Sequence, residues 1–210
     1  MKPNDILSIC TCARPAALIA LLCALAACGG GGDSPATPAA AAGPNPASPT
    51  PAASSPGAAT PSTTGTCNLP DFSTSVLARV NQYRAVGANC GSQGGFAAAP
   101  ALSWNLPLTQ AADVHSRDMV ANNFFSHTGA NGSSAGQRIS AAGYNWSTYG
   151  ENIAAGQSSI NQVVDGWMVS DGHCANIMNA AFVDIGVVCV AGNASTTYGT
   201  YWTMDLGKSR

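Results

Sequence analysis

The chain has 210 residues, of which 46% are hydrophobic and only 9% charged, with a formal net charge of −2 at pH 7. No basic field exists to hold nucleic acid or an anionic lipid surface, so partners read through their phosphates are excluded. Eight cysteines without a single Cys-x-x-Cys pair exclude a zinc ribbon or thioredoxin-type site and point instead to disulfides in an oxidising compartment.

In chain order, residues 1–27 read as a secretion signal, with Lys2 and Arg14 ahead of an apolar stretch from Ala16 to Ala27. That stretch is about a dozen residues, too short for a bilayer core that needs ~20. It ends in Leu25-Ala26-Ala27-Cys28, the small-residue-then-cysteine pattern of a bacterial lipobox. Cys28 is therefore expected to be acylated and to hold the protein on a membrane. Gly29, rather than aspartate, follows the cysteine and assigns it to the outer membrane. The alternative is an ordinary signal peptide that contains a cysteine. From Gly29 to Thr66 the chain is almost wholly Gly, Ala, Pro, Ser and Thr, with Asp33 its only charge. Such a segment cannot offset its ordering entropy, so residues 28–66 are expected to be a lipidated cysteine and a disordered, extended tether.

Residues 67–210 are expected to form one domain with its own core. Phe72, Val76, Val80 and Tyr83 recur at helical spacing until Gly87, and Leu108, Ala111, Ala112, His115 and Met119 repeat the pattern. His115 lies on that second apolar stripe and is read as a core histidine. Gln137 to Ala142 predicts a short helix ending at Gly143. Tyr149 to Ala154 predicts a strand. Ile160, Val163, Val164, Trp167 and Met168 give the cleanest helical stripe, with Ser158-Ser159 able to cap its start. Phe182 to Val190 and Thr196 to Leu206 predict two further strands joined as a hairpin. Trp104, Trp167 and Trp202 are expected in the core with partners for their N–H groups. Asn81, Arg84, Asn152 and Asn176 are expected to hydrogen-bond loops and turns. The three Asn-x-Ser matches at Asn131, Asn145 and Asn193 are read as chance.

Once Cys10, Cys12 and Cys23 leave with the signal, Cys67, Cys90, Cys174 and Cys189 remain, and four cysteines allow three pairings. Cys174–Cys189 closes about fifteen residues, worth ~3 kcal/mol in the chain-entropy model, and is the predicted bond. Cys67–Cys90 is then left by elimination.

Three motifs carry the chemistry: Phe125-Ser126-His127, Gly150-Glu151-Asn152 and Gly172-His173-Cys174. Two of the chain's three histidines sit in them, each beside a glycine or a small polar residue. Two imidazoles and a carboxylate with an open fourth position suit Zn²⁺ or another divalent metal, which could acidify water or polarise a carbonyl. The same three side chains also suit a metal-free cluster in which Glu151 orients the imidazoles. A third possibility is nucleophilic, with Ser126 or Ser170 activated by His127 or His173, but neither serine sits in a Gly-x-Ser-x-Gly elbow.

In the order Asn81-Gln82-Tyr83-Arg84, Leu102-Ser103-Trp104-Asn105-Leu106, Asp118-Met119, Phe125-Ser126-His127, Gly150-Glu151-Asn152-Ile153-Ala154, Gly166-Trp167-Met168-Val169-Ser170, Gly172-His173-Cys174-Ala175-Asn176-Ile177-Met178 and Tyr201-Trp202-Thr203-Met204-Asp205, the chain resembles the CAP superfamily (SCP/PR-1-like: cysteine-rich secretory, antigen 5 and pathogenesis-related proteins). The resemblance implies an α+β fold, a three-layer α-β-α sandwich with a small antiparallel sheet. It also implies a cleft lined by two histidines and two acidic residues, carried over here to His127, Glu151 and His173. Ser170 stands where the family's fourth, acidic member would lie. Neither Asp165 nor Asp171 occupies that position. These departures resemble the bacterial branch of the family.

The expectation is thus a monomeric, envelope-anchored binding module whose cleft takes a small molecule, peptide or envelope component, with no catalytic residue assigned. A metal-dependent, peptidase-like hydrolase and a carrier of lipid or other apolar ligands are the alternatives.

Overall fold

The computed structural model describes residues 65–210, all within the second of the chain's two units, Ser54–Arg210. The expected signal, Cys28 and the tether up to residue 64 lie outside the described residues. Among the described residues, no helix is long and apolar enough to cross a membrane.

The first helix, α1 (Phe72–Val86), buries Phe72, Val76, Val80 and Arg84. It stops at Gly87, whose φ of 79° and whose approach to the Phe96 carbonyl leave no place for a side chain. Two short strands follow, β1 (Ala88–Asn89) and β2 (Gly95–Phe96), paired antiparallel around the turn that carries Cys90. After β3 (Ser103–Trp104), α2 (Leu106–Asn122) is capped by Asn105, whose side chain accepts from the Leu108 N–H. The short helix α3 (Ala135–Ala141) begins at a reciprocal capping box between Ser134 and Gln137. Strand β4 (Trp146–Ala155) leads to α4 (Ile160–Met168), capped by Ser159 as its sequence suggests. Helix α5 (Asp171–Met178) follows at once, and β5 (Asp184–Ala191) and β6 (Thr200–Ser209) close the fold as an antiparallel hairpin. No helix is expected around His173 from the sequence pattern. Cys174, Ile177 and Met178, spaced for one helical face, make the segment a helix once they reach the core.

The main sheet has the order β3-β5-β6-β4, antiparallel except for the two-residue β3 beside β5. One face meets α1, α4 and α5. There Ile185, Val187, Trp202, Met204 and Leu206 pack with Val76, Val80, Val164, Trp167 and Ile177. The other face meets α2 and α3. Gly186 lets the α2 backbone at Leu108 and Thr109 lie directly against the sheet, since a Cβ there would collide with it. These are the three layers of the expected sandwich.

Arg84 is fully buried and staples the layers, donating to the carbonyls of Pro100, Ile177, Asn179 and Phe182. Trp167 and Trp202 satisfy their indole N–H groups on the carbonyls of Ile153 and Gln157.

The disulfides differ from the predicted pairing. Cys67 joins Cys189 and Cys90 joins Cys174, at Cα separations of 5.3 and 5.4 Å. Counting residues treats the intervening chain as flexible, whereas rigid elements occupy it. At 1.5 Å per residue, α1 is a rod of roughly 22 Å that holds Cys67 and Cys90 at opposite ends. Likewise, the rest of α5 and five residues of β5 separate Cys174 from Cys189. Each bond instead closes a loop on the order of 100 residues, worth about 4–5 kcal/mol in the chain-entropy model. The Cys67–Cys189 bond also draws in Gly65 and Thr66, assigned from sequence to the tether. The Cys189 N–H donates to the Gly65 carbonyl, and Thr66 bridges to Cys189.

Candidate functional site

Alternation along β4 and β6 puts Glu151, Thr203 and Asp205 on the α2/α3 face of the sheet, and all three are buried. Glu151 sits directly opposite Asp205 in the β4–β6 register. His127 reaches this carboxylate from the loop between α2 and α3. Its Nδ1–H donates to Glu151 Oε1 at 2.7 Å, because an ionised carboxylate can only accept. That leaves Nε2 as the open ring nitrogen of an imidazole whose side chain is 54% exposed.

Arg138, from α3, takes the other oxygen. Its Nη2 donates to Glu151 Oε2 at 2.6 Å, and both side chains are 4% exposed. The same guanidinium donates to the carbonyls of Ser133 and His127, so one side chain fixes Glu151 and the backbone of the loop that presents His127. Burial alone would raise the Glu151 carboxyl, but the His127 hydrogen bond and the Arg138 charge outweigh it and hold the group below its ordinary value. Asp205 behaves in the opposite way. Burial first, and the Glu151 charge second, hold its carboxyl well above the usual carboxylate range. Among the described residues it has no hydrogen-bond partner on either oxygen as a carboxylate. As a carboxylic acid it can donate across the strands to Glu151. Sequence reasoning misses both Arg138 and Asp205, although a charge inside so apolar a strand as Tyr201–Leu206 is itself a signal in a chain with so few charges.

His173 lies in the first turn of α5, half-buried. Burial, and then the nearby charge of His127, lower its pKa, which keeps it neutral. Its backbone is fixed from the sheet, since Asn152 donates to the His173 carbonyl and Asn176 donates to the Glu151 carbonyl and to Asn152. The two asparagines thus stitch α5 to β4 rather than serving turns. Ser170 is the N-cap residue of α5 and makes no side-chain capping bond. The Ser126 hydroxyl accepts from the Thr128 N–H. Among the described residues neither serine hydroxyl is hydrogen-bonded to an imidazole. His115 is completely buried, as its stripe predicts, and its Nε2–H donates to the Ser126 carbonyl. Burial lowers its pKa. Asp165 pairs with Arg79, and Asp171 accepts from the backbone and hydroxyl of Ser92, so neither supplies the missing fourth carboxylate.

The site therefore brings His127 and Glu151 into contact, places His173 beside them, and uses Ser170 only through its backbone, at the start of α5. Its donor set does not fit a divalent cation. Both Glu151 oxygens are already bonded, a permanent positive charge lies against one of them, and no group of three His, Cys, Asp or Glu side chains among the described residues could hold a metal ion. What remains is a hydrogen-bonded cluster with one imidazole edge facing solvent.

The family described as CAP, the cysteine-rich secretory protein family, matches residues 77–206. The chain belongs to this family. The CAP match contains every residue of the cluster. An uncharacterized protein of Bacillus subtilis (strain 168), YkwD, is 37% identical over 102 residues, which is 48% of this chain and 37% of YkwD. An uncharacterized membrane protein of the same organism, YlbC, is 34% identical over 86 residues, 41% of this chain and 25% of YlbC. The similarity thus spans little more than a third of one relative and a quarter of the other. Among solved structures, an SCP-domain extracellular protein from Bacillus anthracis str. Ames shares 31% identity with a TM-score of 0.46, covering 53% of this chain and 35% of that one. An outer surface protein from Borrelia burgdorferi shares 22% identity with a TM-score of 0.48, covering 53% and 80%.

Proposed function

We propose that this CAP chain is an envelope-anchored binding module, held on the outer membrane by acylated Cys28, and that the His127–Glu151–His173 cleft takes a small polar ligand or a peptide. The observation that carries the reading is the use of Glu151. Its carboxylate orients His127 through Nδ1, so the imidazole presents Nε2 to solvent in a fixed direction, with neutral His173 alongside. Such an edge gives directional hydrogen bonding without a nucleophile. The nucleophilic alternative would need a serine bonded to an imidazole, and among the described residues neither Ser126 nor Ser170 makes such a bond. The lipobox and the two disulfides support an oxidising, envelope location. The test is titration of the full chain with soluble envelope fragments, namely stem peptides and short glycans. One of them should bind at micromolar affinity, and His127→Ala should abolish that binding while leaving the fold intact. Binding unchanged in His127→Ala would move the site elsewhere. Mass spectrometry of membrane-extracted protein checks the anchor, and a soluble mature form starting at another residue would remove it.

A second observation favours a carrier of apolar ligands. A groove of about 730 Å³ runs between the start of the described chain and α2, lined by Leu69, Phe72, Trp104, Leu106, Val114 and Val187. Lipid co-purifying with the chain, and lost in Val114→Asp, would support this reading.

A further inference from the structure

We propose that Arg138 is a built-in cation that occupies the Glu151 carboxylate a metal ion in this cleft would need, so that this chain fixes its Glu151–His127 pair without metal and excludes divalent cations from it. The assignment goes beyond the binding reading and holds whatever the cleft takes.

Three observations converge on it. First, the charge sits directly on the carboxylate. Arg138 Nη2 lies 2.6 Å from Glu151 Oε2, on the oxygen that His127 does not use, with both side chains almost wholly buried. Second, it is held there by more than the ion pair. Nη1 donates to the Ser133 carbonyl and Nη2 also donates to the His127 carbonyl, while the Ser134–Gln137 capping box fixes the start of the helix that carries it. A guanidinium presents several donors in a rigid fork, so it can join Glu151, the loop of His127 and the turn before α3 at once. A metal ion would be asked to make the same connection between loop and sheet. Third, the remaining acid is no substitute ligand. Asp205, directly across the strands from Glu151, is completely buried, and among the described residues neither of its oxygens has a hydrogen-bond partner. The cluster therefore holds one carboxylate already neutralised by arginine, and a cation entering between His127 and Glu151 would meet the guanidinium at close range.

The test is calorimetric titration of the chelator-treated full chain with Zn²⁺ near neutral pH. Wild type is expected to show no stoichiometric site that depends on Glu151. Arg138→Gln, which removes the charge but keeps a hydrogen-bonding side chain, is expected to bind Zn²⁺ roughly tenfold or more tightly than wild type, and His127→Ala in that background is expected to abolish the gain. Two results overturn the proposal: one zinc per wild-type chain that Glu151→Gln removes, or a folded Arg138→Gln with no gain. Should Arg138→Gln fail to fold, the wild type decides alone. The NMR signals of the Arg138 guanidinium should stay unmoved through addition of several equivalents of Zn²⁺, and a stoichiometric shift would show that the metal displaces it and would end the assignment.

Discussion

The two faces of the main sheet are both buried, yet they are built from opposite chemistry. Along β6, Trp202, Met204 and Leu206 point toward α1, α4 and α5, while Tyr201, Thr203 and Asp205 point toward α2 and α3, and all six are fully excluded from water. The first face is mainly a hydrophobic core, with Arg84 and Asn152 the buried polar groups that tie its helices down, and it is closed by the two disulfides at Cys90–Cys174 and Cys67–Cys189. The second carries a polar stripe: the Ser116 hydroxyl donates to Thr203, and Asp205, Glu151 and Arg138 follow beside it. Stability and function are divided between them. The apolar face resists unfolding through area and cross-links. The polar face holds charges that gain little net stability but fix one imidazole at the surface, and it weakens where a buried member loses a partner that water cannot replace.

The largest effect should come from cutting the apolar face's staples. Replacing Cys90 and Cys174 by serine removes about 4 kcal/mol of loop constraint and should lower the thermal midpoint by roughly 10 °C or more. Non-reducing peptide mapping checks the pairing, and a Cys174–Cys189 peptide would break the account of both bonds. Nearly as large, Arg138→Met should destabilise by about 3–5 kcal/mol, because it strands a buried carboxylate while filling most of the same volume with an apolar side chain. Trp202→Ala on the opposite face should cost about as much for a different reason, a cavity. Denaturant titration separates the two. The Arg138→Met loss should shrink as acid protonates Glu151, and the Trp202→Ala loss should not.

Asp205→Asn should have a smaller effect of the opposite sign. The folded-state pKa of Asp205 lies well above the unfolded one, so its contribution is fully present below about pH 4 and is lost as pH rises toward the folded value. Asparagine keeps a donor for Glu151 and does not titrate. The variant should therefore gain stability at pH 7 and gain least near pH 4. A loss at pH 7 would mean that Asp205 is ionised and paired. His115 and His173 run the other way. Their depressed pKa values favour the neutral ring in the fold, so stability is full above about pH 6.5 and falls as acid charges the unfolded state. His115→Gln should flatten that slope in thermal melts between about pH 6.5 and 5. The smallest effect on stability belongs to His127→Ala, at about 1 kcal/mol, because water entering the space of so exposed a ring can take over its hydrogen bond to Glu151 Oε1, although ligand binding should be lost altogether. A large loss of stability there would erase the division between the faces.

Local pattern was enough to place the helices of the apolar stripes, because Val76, Val80, Val164 and Trp167 fall at a period that only one helical face satisfies. It was also enough for the final hairpin, and it singled out His127, Glu151 and His173, because short motifs with glycine or small polar neighbours stand out along the chain. The disulfide partners were not legible in this way, since proximity between cysteines is set by how α1, α5 and β5 stack and not by the residues counted between them. The same holds for α5, a short segment whose helical face gains its meaning from the core it meets. Folding in three dimensions also brought Arg138 and Asp205 to Glu151, one from a helix 13 residues away and one from across a strand pair. Charge pairing inside a fold depends on which side chains share a low-dielectric space, and no linear spacing encodes that.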